Sequence, residues 1–200
     1  MHKLDFYFDC SSPWSYLAFE RVQTLFTLGE LEVQWKPILV GGVFNTVNPA
    51  VYENRANPVP AKSAYQSKDL QDWARAVGIE IGQPPVFPVN SVKAMRGAFF
   101  ALDNGVLVPY ARAVFKRYWT DLADISQDRE LSAIASSVGL DTDEYFAAIT
   151  TQSYKDRLRD TTDELISRGG FGSPTMFLDD DDMYFGNDRL ELVRARIANA

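Results

Sequence analysis

Leu4-Asp5-Phe6-Tyr7-Phe8-Asp9-Cys10-Ser11-Ser12-Pro13-Trp14-Ser15 is the stretch on which the fold turns. Leu4, Phe6, Phe8 and Cys10 alternate with Asp5, Tyr7 and Asp9. A period of two marks a strand with one buried face, and it predicts a strand from about residue 4 to 10. Ser12 then stands directly before Pro13. A cap serine accepts a hydrogen bond from an N–H of the first turn, and a first-turn proline lacks an N–H that would have gone unpaired, so a helix starts here. Trp14, Ala18, Val22 and Leu25 continue it at helical spacing, and Gly29 is its expected stop.

Beyond it, Leu31, Val33 and Trp35 alternate with Glu32, Gln34 and Lys36 ahead of Pro37, a second strand. Strand, helix and strand joined this economically imply a βαβ unit with parallel pairing. Gly41-Gly42, Asn45-Thr46-Val47-Asn48-Pro49 and Asn57-Pro58-Val59-Pro60 read as a loop over residues 40–60. Six helical segments follow at Lys62–Val77, Ser91–Asn104, Pro109–Trp119, Asp128–Val138, Asp141–Thr150 and Gln152–Arg168, parted by glycine, proline or acidic caps. Thr175–Leu178 and Met183–Phe185 are short strands about a hairpin turn at Asp179–Asp182. A tight turn cannot wrap six or more oxygens around calcium, so these aspartates read as a solvated turn and no metal site is expected. Gly186-Asn187-Asp188-Arg189 opens a last helix through Leu190, Val193 and Ile197. The order is that of an α/β thioredoxin-like fold, βαβ then ββα, interrupted by an all-α helical insertion. Residues 1–60 and 165–200 form the discontinuous thioredoxin-like domain in this reading, and residues 61–164 the insertion.

Composition narrows the function. Two hundred residues suit one compact unit, and 20 basic against 27 acidic residues give a net charge of −7. That charge repels phosphate backbones and anionic lipid, so neither nucleic acid nor membrane is an expected partner. No apolar run approaches the roughly 18 to 20 residues of a membrane span, and no signal pattern opens the chain. Cys10 is the only cysteine. It cannot form an internal disulfide, which points to a reducing, cytoplasmic location. His2 is the only histidine and adjoins the N-terminus, where a mobile side chain is expected. Histidine triads, two-histidine metal sites and imidazole acid–base catalysis are therefore excluded. A cosubstrate bringing its own reactive group is favoured instead.

Ser12-Pro13-Trp14-Ser15 occupies the place where thiol oxidoreductases of the DsbA type carry Cys-Pro-x-Cys, and its two serines exclude dithiol chemistry. The segment from Asp5 to Ala18 resembles the opening of 2-hydroxychromene-2-carboxylate isomerases and kappa-class glutathione transferases. Gly170–Phe177 resembles their cis-proline loop and Phe185–Leu190 their glutathione-carboxylate motif; with Val59-Pro60-Ala61-Lys62 between them, nearly the whole chain is covered. The resemblance implies glutathione as cosubstrate, a small aromatic substrate and a homodimer. It makes Ser12 the catalytic residue that holds the glutathione thiolate. It assigns the cysteinyl part to Ser173 beside a cis Pro174, the γ-glutamyl group to Asn187 and Asp188, and the glycyl carboxylate to Lys62. A further asparagine of the family corresponds to Asn54 or Asn57.

Physical chemistry supports the Ser12 assignment. Lowering a thiol from about 8.5 to roughly 6.5 takes about 2.7 kcal/mol. A hydrogen bond to a charged group supplies about 1.5 to 3 kcal/mol and a helix N-terminus about 0.3 to 2. Each residue has a plainer alternative: Ser12, Asn187 and Asp188 as helix caps, Pro174 as a turn proline, Lys62 as a surface charge. Cys10, on the strand's apolar face, is expected to be buried and inert. Arg96 either meets an acidic substrate or pairs with a carboxylate. Trp14, Phe44, Phe87, Phe115 and Trp119 either wall a planar pocket or fill the core. The resemblance implies isomerisation of 2-hydroxychromene-2-carboxylate to trans-o-hydroxybenzylidenepyruvate by reversible thiolate addition. Its rivals are a transferase that keeps the adduct and a non-catalytic glutathione-binding protein.

Overall fold

The computed structural model describes residues 1–26 and 31–199. Four strands, β1 (His2–Phe8), β2 (Leu31–Pro37), β3 (Thr175–Leu178) and β4 (Asp182–Phe185), form one sheet in the order β2-β1-β3-β4. β1 and β2 run parallel, with Phe8 opposite Pro37, while β3 is antiparallel to both β1 and β4. The first helix, α1 (Pro13–Leu25), starts at the expected proline. Its expected stop, Gly29, lies outside the described residues. β1 ends earlier than its alternation suggested. Asp9 and Cys10 leave the ladder for a turn in which the Ser12 N–H reaches the Asp9 carbonyl at 3.0 Å.

The expected loop over residues 40–60 is instead two helices, α2 (Val40–Val47) and α3 (Ala50–Ala56). Tertiary packing overrides the glycine propensity here. At Gly42 a Cβ would stand 3.4 Å from the Thr162 methyl, a contact distance, so this segment packs closely against the later helix that carries Thr162. The remaining helices, α4 (Pro60–Val77), α5 (Val92–Asp103), α6 (Leu107–Trp119), α7 (Asp128–Ser137), α8 (Thr142–Thr150) and α9 (Gln152–Ser167), fall near their expected bounds. A 3-10 turn, Asn187–Arg189, leads into α10 (Leu190–Ala198).

Alternation along β1 sorts two cores. Leu4, Phe6 and Phe8 enter the large core with α1, α5 and α6, where Phe115 stacks on Tyr16 at 5.0 Å. Tyr7 faces the other way, with Ile38, Val43, Leu165 and Phe177. His2 is not on a loose end: it begins β1, with its Nδ1 2.5 Å from the Asp179 carboxylate. That is the end of the strand away from Ser12. The aspartate turn closes the β3–β4 hairpin as expected, with Asp179 and Asp180 at positive φ (46° and 84°).

Within α5, Gly97 faces the bonded hydroxyl pair of Tyr110 and Tyr145, 2.7 Å apart. A Cβ there would fall 2.2 Å from both oxygens. Gly97→Ala should therefore destabilise the fold by about 1 to 3 kcal/mol through overpacking. Gly41 on α2 has nothing within 4 Å of its Cβ position. Gly41→Ala should stabilise by about 0.5 to 1 kcal/mol. Urea midpoints of the two variants, moving in opposite directions from wild type, check both.

Candidate active site

The end of β1 and the start of α1 gather a cluster of hydroxyl groups. Ser12 has extended backbone angles (φ −102°, ψ 120°) and caps α1, its Oγ accepting the Ser15 N–H at 3.2 Å. The same hydroxyl donates to the Ser173 carbonyl at 3.1 Å. Ser15 Oγ lies 2.6 Å from Ser173 Oγ, which also accepts the Asp9 N–H at 3.1 Å. The Ser173–Pro174 peptide is cis, as expected. Gly172 brings this loop against β4, since a Cβ there would come within 2.8 Å of the Phe185 ring.

Other expected residues lie around this centre. Asn187 is buried, and both its carbonyl and its side-chain oxygen accept from Arg21 of α1. Arg21 is fixed in turn by Glu191 at 2.9 Å and by the Trp73 ring, 4.5 Å away. The Asn187 amide nitrogen is thus the group available for further contact. Asp188 is exposed and 3.2 Å from Arg189. Lys62 is exposed on the first turn of α4, Asn54 lies on α3 and Asn57 is its C-cap. The structure brings Ser12, Ser173 and Pro174 together and ties Asn187 to the same helix. Lys62, Asp188, Asn54 and Asn57 make no hydrogen bond to Ser12 or Ser173.

Cys10 is fully buried, with its N–H directed at Met95 Sδ and its carbonyl at Trp119 Nε1. Burial, then the nearby Asp9 carboxylate, pushes its thiol well above the ordinary range, so it stays a neutral thiol. Phe115 and Trp119 are core residues. Phe44 and Phe87 instead flank Arg55, whose guanidinium is 5.6 and 5.3 Å from their ring centres.

Sequence reasoning missed Ser15 and Asp9. Ser15 was visible as the fourth residue of Ser12-Pro13-Trp14-Ser15, where it fills the second thiol's place. Asp9 looked like the solvent-facing half of an alternating strand. Its carboxylate is in fact fully buried and accepts from the Ser11 N–H (2.9 Å), the Val40 N–H (2.9 Å) and the Ser91 hydroxyl (3.1 Å). The available signal was its position two residues before a turn N–H, where aspartate commonly bonds its own backbone.

A family model described as a DSBA-like thioredoxin domain matches residues 3–198. Among curated relatives, the 2-hydroxychromene-2-carboxylate isomerase of Pseudomonas putida is 33% identical over 196 residues, covering 96% of this chain and 92% of its own. Glutathione S-transferase kappa 1 of Caenorhabditis elegans is 27% identical over 207 residues, covering 96% and 88%. A solved 2-hydroxychromene-2-carboxylate isomerase superposes with a TM-score of 0.82 at 28% identity, over 98% of this chain and 95% of that one.

Asp9 makes the site's stability depend on pH. Burial raises its pKa, outweighing the hydrogen bonds from Ser11, Val40 and Ser91 that lower it. A carboxyl raised in the native state contributes most below about pH 4, where the unfolded chain is also protonated, and loses that contribution as pH rises through the native value. The wild type's unfolding free energy minus that of Asp9→Asn should therefore decrease from pH 4 upward. Urea unfolding of both proteins across this range measures it, and a difference that grows with pH would show a carboxylate held in its charged form.

Proposed function

The chain belongs to the DSBA-like thioredoxin domain family, and on that footing we propose that it is a glutathione-dependent isomerase of 2-hydroxychromene-2-carboxylate or a similar aromatic acid. The observation that carries this reading is the Ser12 hydroxyl at the start of α1, held by the Ser15 N–H and turned toward the cis-proline loop. A transferase shares the site; isomerase relatives match at 27 to 33% identity and kappa transferases at 26 to 29%, which puts the isomerase reading first.

The donors fit the cosubstrate. Glutathione carries a thiol, an ammonium and two carboxylates; Ser12 offers a hydroxyl, Asp188 a carboxylate, Lys62 a cation and Asn187 an amide N–H. What glutathione supplies when bound is a thiol that adds reversibly to a conjugated double bond, leaving a single bond that can rotate. Ser12 turns its proton from the Ser173 carbonyl to the anionic sulfur and keeps it on oxygen throughout. The Ser15 N–H holds Ser12 Oγ in place, and the α1 N-terminus favours negative charge there. Asp9 and Ser15 fix Ser173, and through it the loop, before any ligand arrives. His2, at the far end of β1, takes no part.

Ser12→Ala should raise the pKa of the bound thiol and slow isomerisation at neutral pH. One charge-assisted hydrogen bond is worth about 1.5 to 3 kcal/mol, or roughly ten- to a hundredfold in rate. Glutathione affinity, carried by Ser173, Asn187, Asp188 and Lys62, should change little, and Cys10→Ala should slow the reaction far less. Thiolate absorbance titrated against pH, beside turnover of the hydroxychromene, decides it. Loss of activity in Cys10→Ala with Ser12→Ala unaffected overturns the mechanism. The same reading carries a homodimer, which light scattering at micromolar concentration tests.

A further inference from the structure

Among the described residues, one buried side-chain nitrogen or oxygen has no hydrogen-bond partner: Arg96 Nε. Buried polar groups are otherwise paired almost without exception, so an orphan donor calls for an acceptor. Arg96 lies on α5 and lines a cleft of about 250 Å3 between α2, α5 and α9. Among the described residues its guanidinium has no carboxylate within ion-pairing distance, and burial alone lowers its pKa. The pairing with a carboxylate open to it in the sequence is not made.

The lining has two chemistries. Leu39, Val92, Leu158 and Ile166 make one wall apolar, while Arg96 and Lys155 are cations on the same cleft. Arg159 also lines it, but its charge is shared between Asp156 and Asp160. Asp163 stands on the exposed rim without an ion pair to Arg96. The volume falls below the roughly 300 to 1,000 Å3 of drug-sized sites and suits a smaller molecule. None of Ser12, Ser173 and Asn187 lines the cleft. Leu39 and Val92 do, and each adjoins in sequence a residue that holds Asp9, Val40 and Ser91 respectively.

We propose that this cleft is a second binding site, separate from the Ser12 cluster, for a small organic carboxylate with an apolar body, whose carboxylate pairs with the terminal nitrogens of the Arg96 guanidinium. The apolar wall covers the rest of the ligand, and Lys155 adds charge at the mouth. An anion without an apolar body gains only the cationic half of the site, so inorganic sulfate binds more weakly than benzoate.

Benzoate titrated into the wild-type chain without glutathione tests this, read by the arginine Nε–H resonances in a 15N-labelled sample and by calorimetry. The expected result is saturable binding that moves the Arg96 Nε–H signal. Arg96→Gln should weaken it roughly tenfold or more, the worth of one hydrogen bond to a charged group. Lys155→Glu, at an exposed position that leaves the fold intact, should weaken it severalfold by repulsion. Absence of saturation, unchanged affinity in both variants, or shifts confined to residues around Ser12 would overturn the second site. Because glutathione is absent, the outcome is independent of the isomerase reading.

Discussion

A buried carboxylate holds this molecule's working end together. Asp9 accepts from the turn that follows β1, from the first residue of α2 and from the residue that caps α5, while its own N–H reaches the loop before β3. Four stretches of chain distant in sequence converge on one residue. Desolvating a carboxyl is expensive, and three donors offset part of the cost, one at Oδ1 and two at Oδ2. Ser12 is positioned as a consequence: the turn that Asp9 fixes aims the first helix, and the loop that Asp9 tethers presents the Ser173 carbonyl to the serine.

Where local chemistry decides, the sequence was readable. Alternation from Leu4 to Cys10 and the Ser12-Pro13 pair marked a strand and a helix start; the helix begins at Pro13 as expected, and the strand runs two residues earlier, from His2 to Phe8. The capped helices from α4 to α9 were equally plain. Contacts between distant residues were not. Gly41 and Gly42 argued for a loop, because nothing nearby in sequence shows that this segment packs against Thr162. Asn187 could be placed at the start of the last helix, but not its engagement by Arg21. Asp9 was hidden by the alternation that revealed β1, since a polar residue on a strand's other face ordinarily meets water.

Serine at both positions where a dithiol site carries cysteine alters the chemistry available at the start of α1. Ser12 caps the helix and Ser15 supplies the N–H it caps. Neither hydroxyl can be oxidised to a disulfide. The one thiol, that of Cys10, is fully buried. The protein offers hydrogen bonds and a dipole at this point, and any electron-rich sulfur must come from outside.

The sheet has a further implication for how the chain is made. One neighbour of β1, β2, follows it after a single helix, but the other, β3, is separated from it by all the helices from α2 to α9 as well. Closing so long a loop favours slow assembly, and while residues 175–185 are still to be synthesised one edge of β1 lacks its partner. Ser12 and Ser173 meet only when that edge is filled. A ribosome-bound fragment ending before β3 would carry the first serine, the capped helix and most of the hydrophobic core, yet the Ser173 carbonyl would reach its partner hydroxyl only once the last short hairpin had docked.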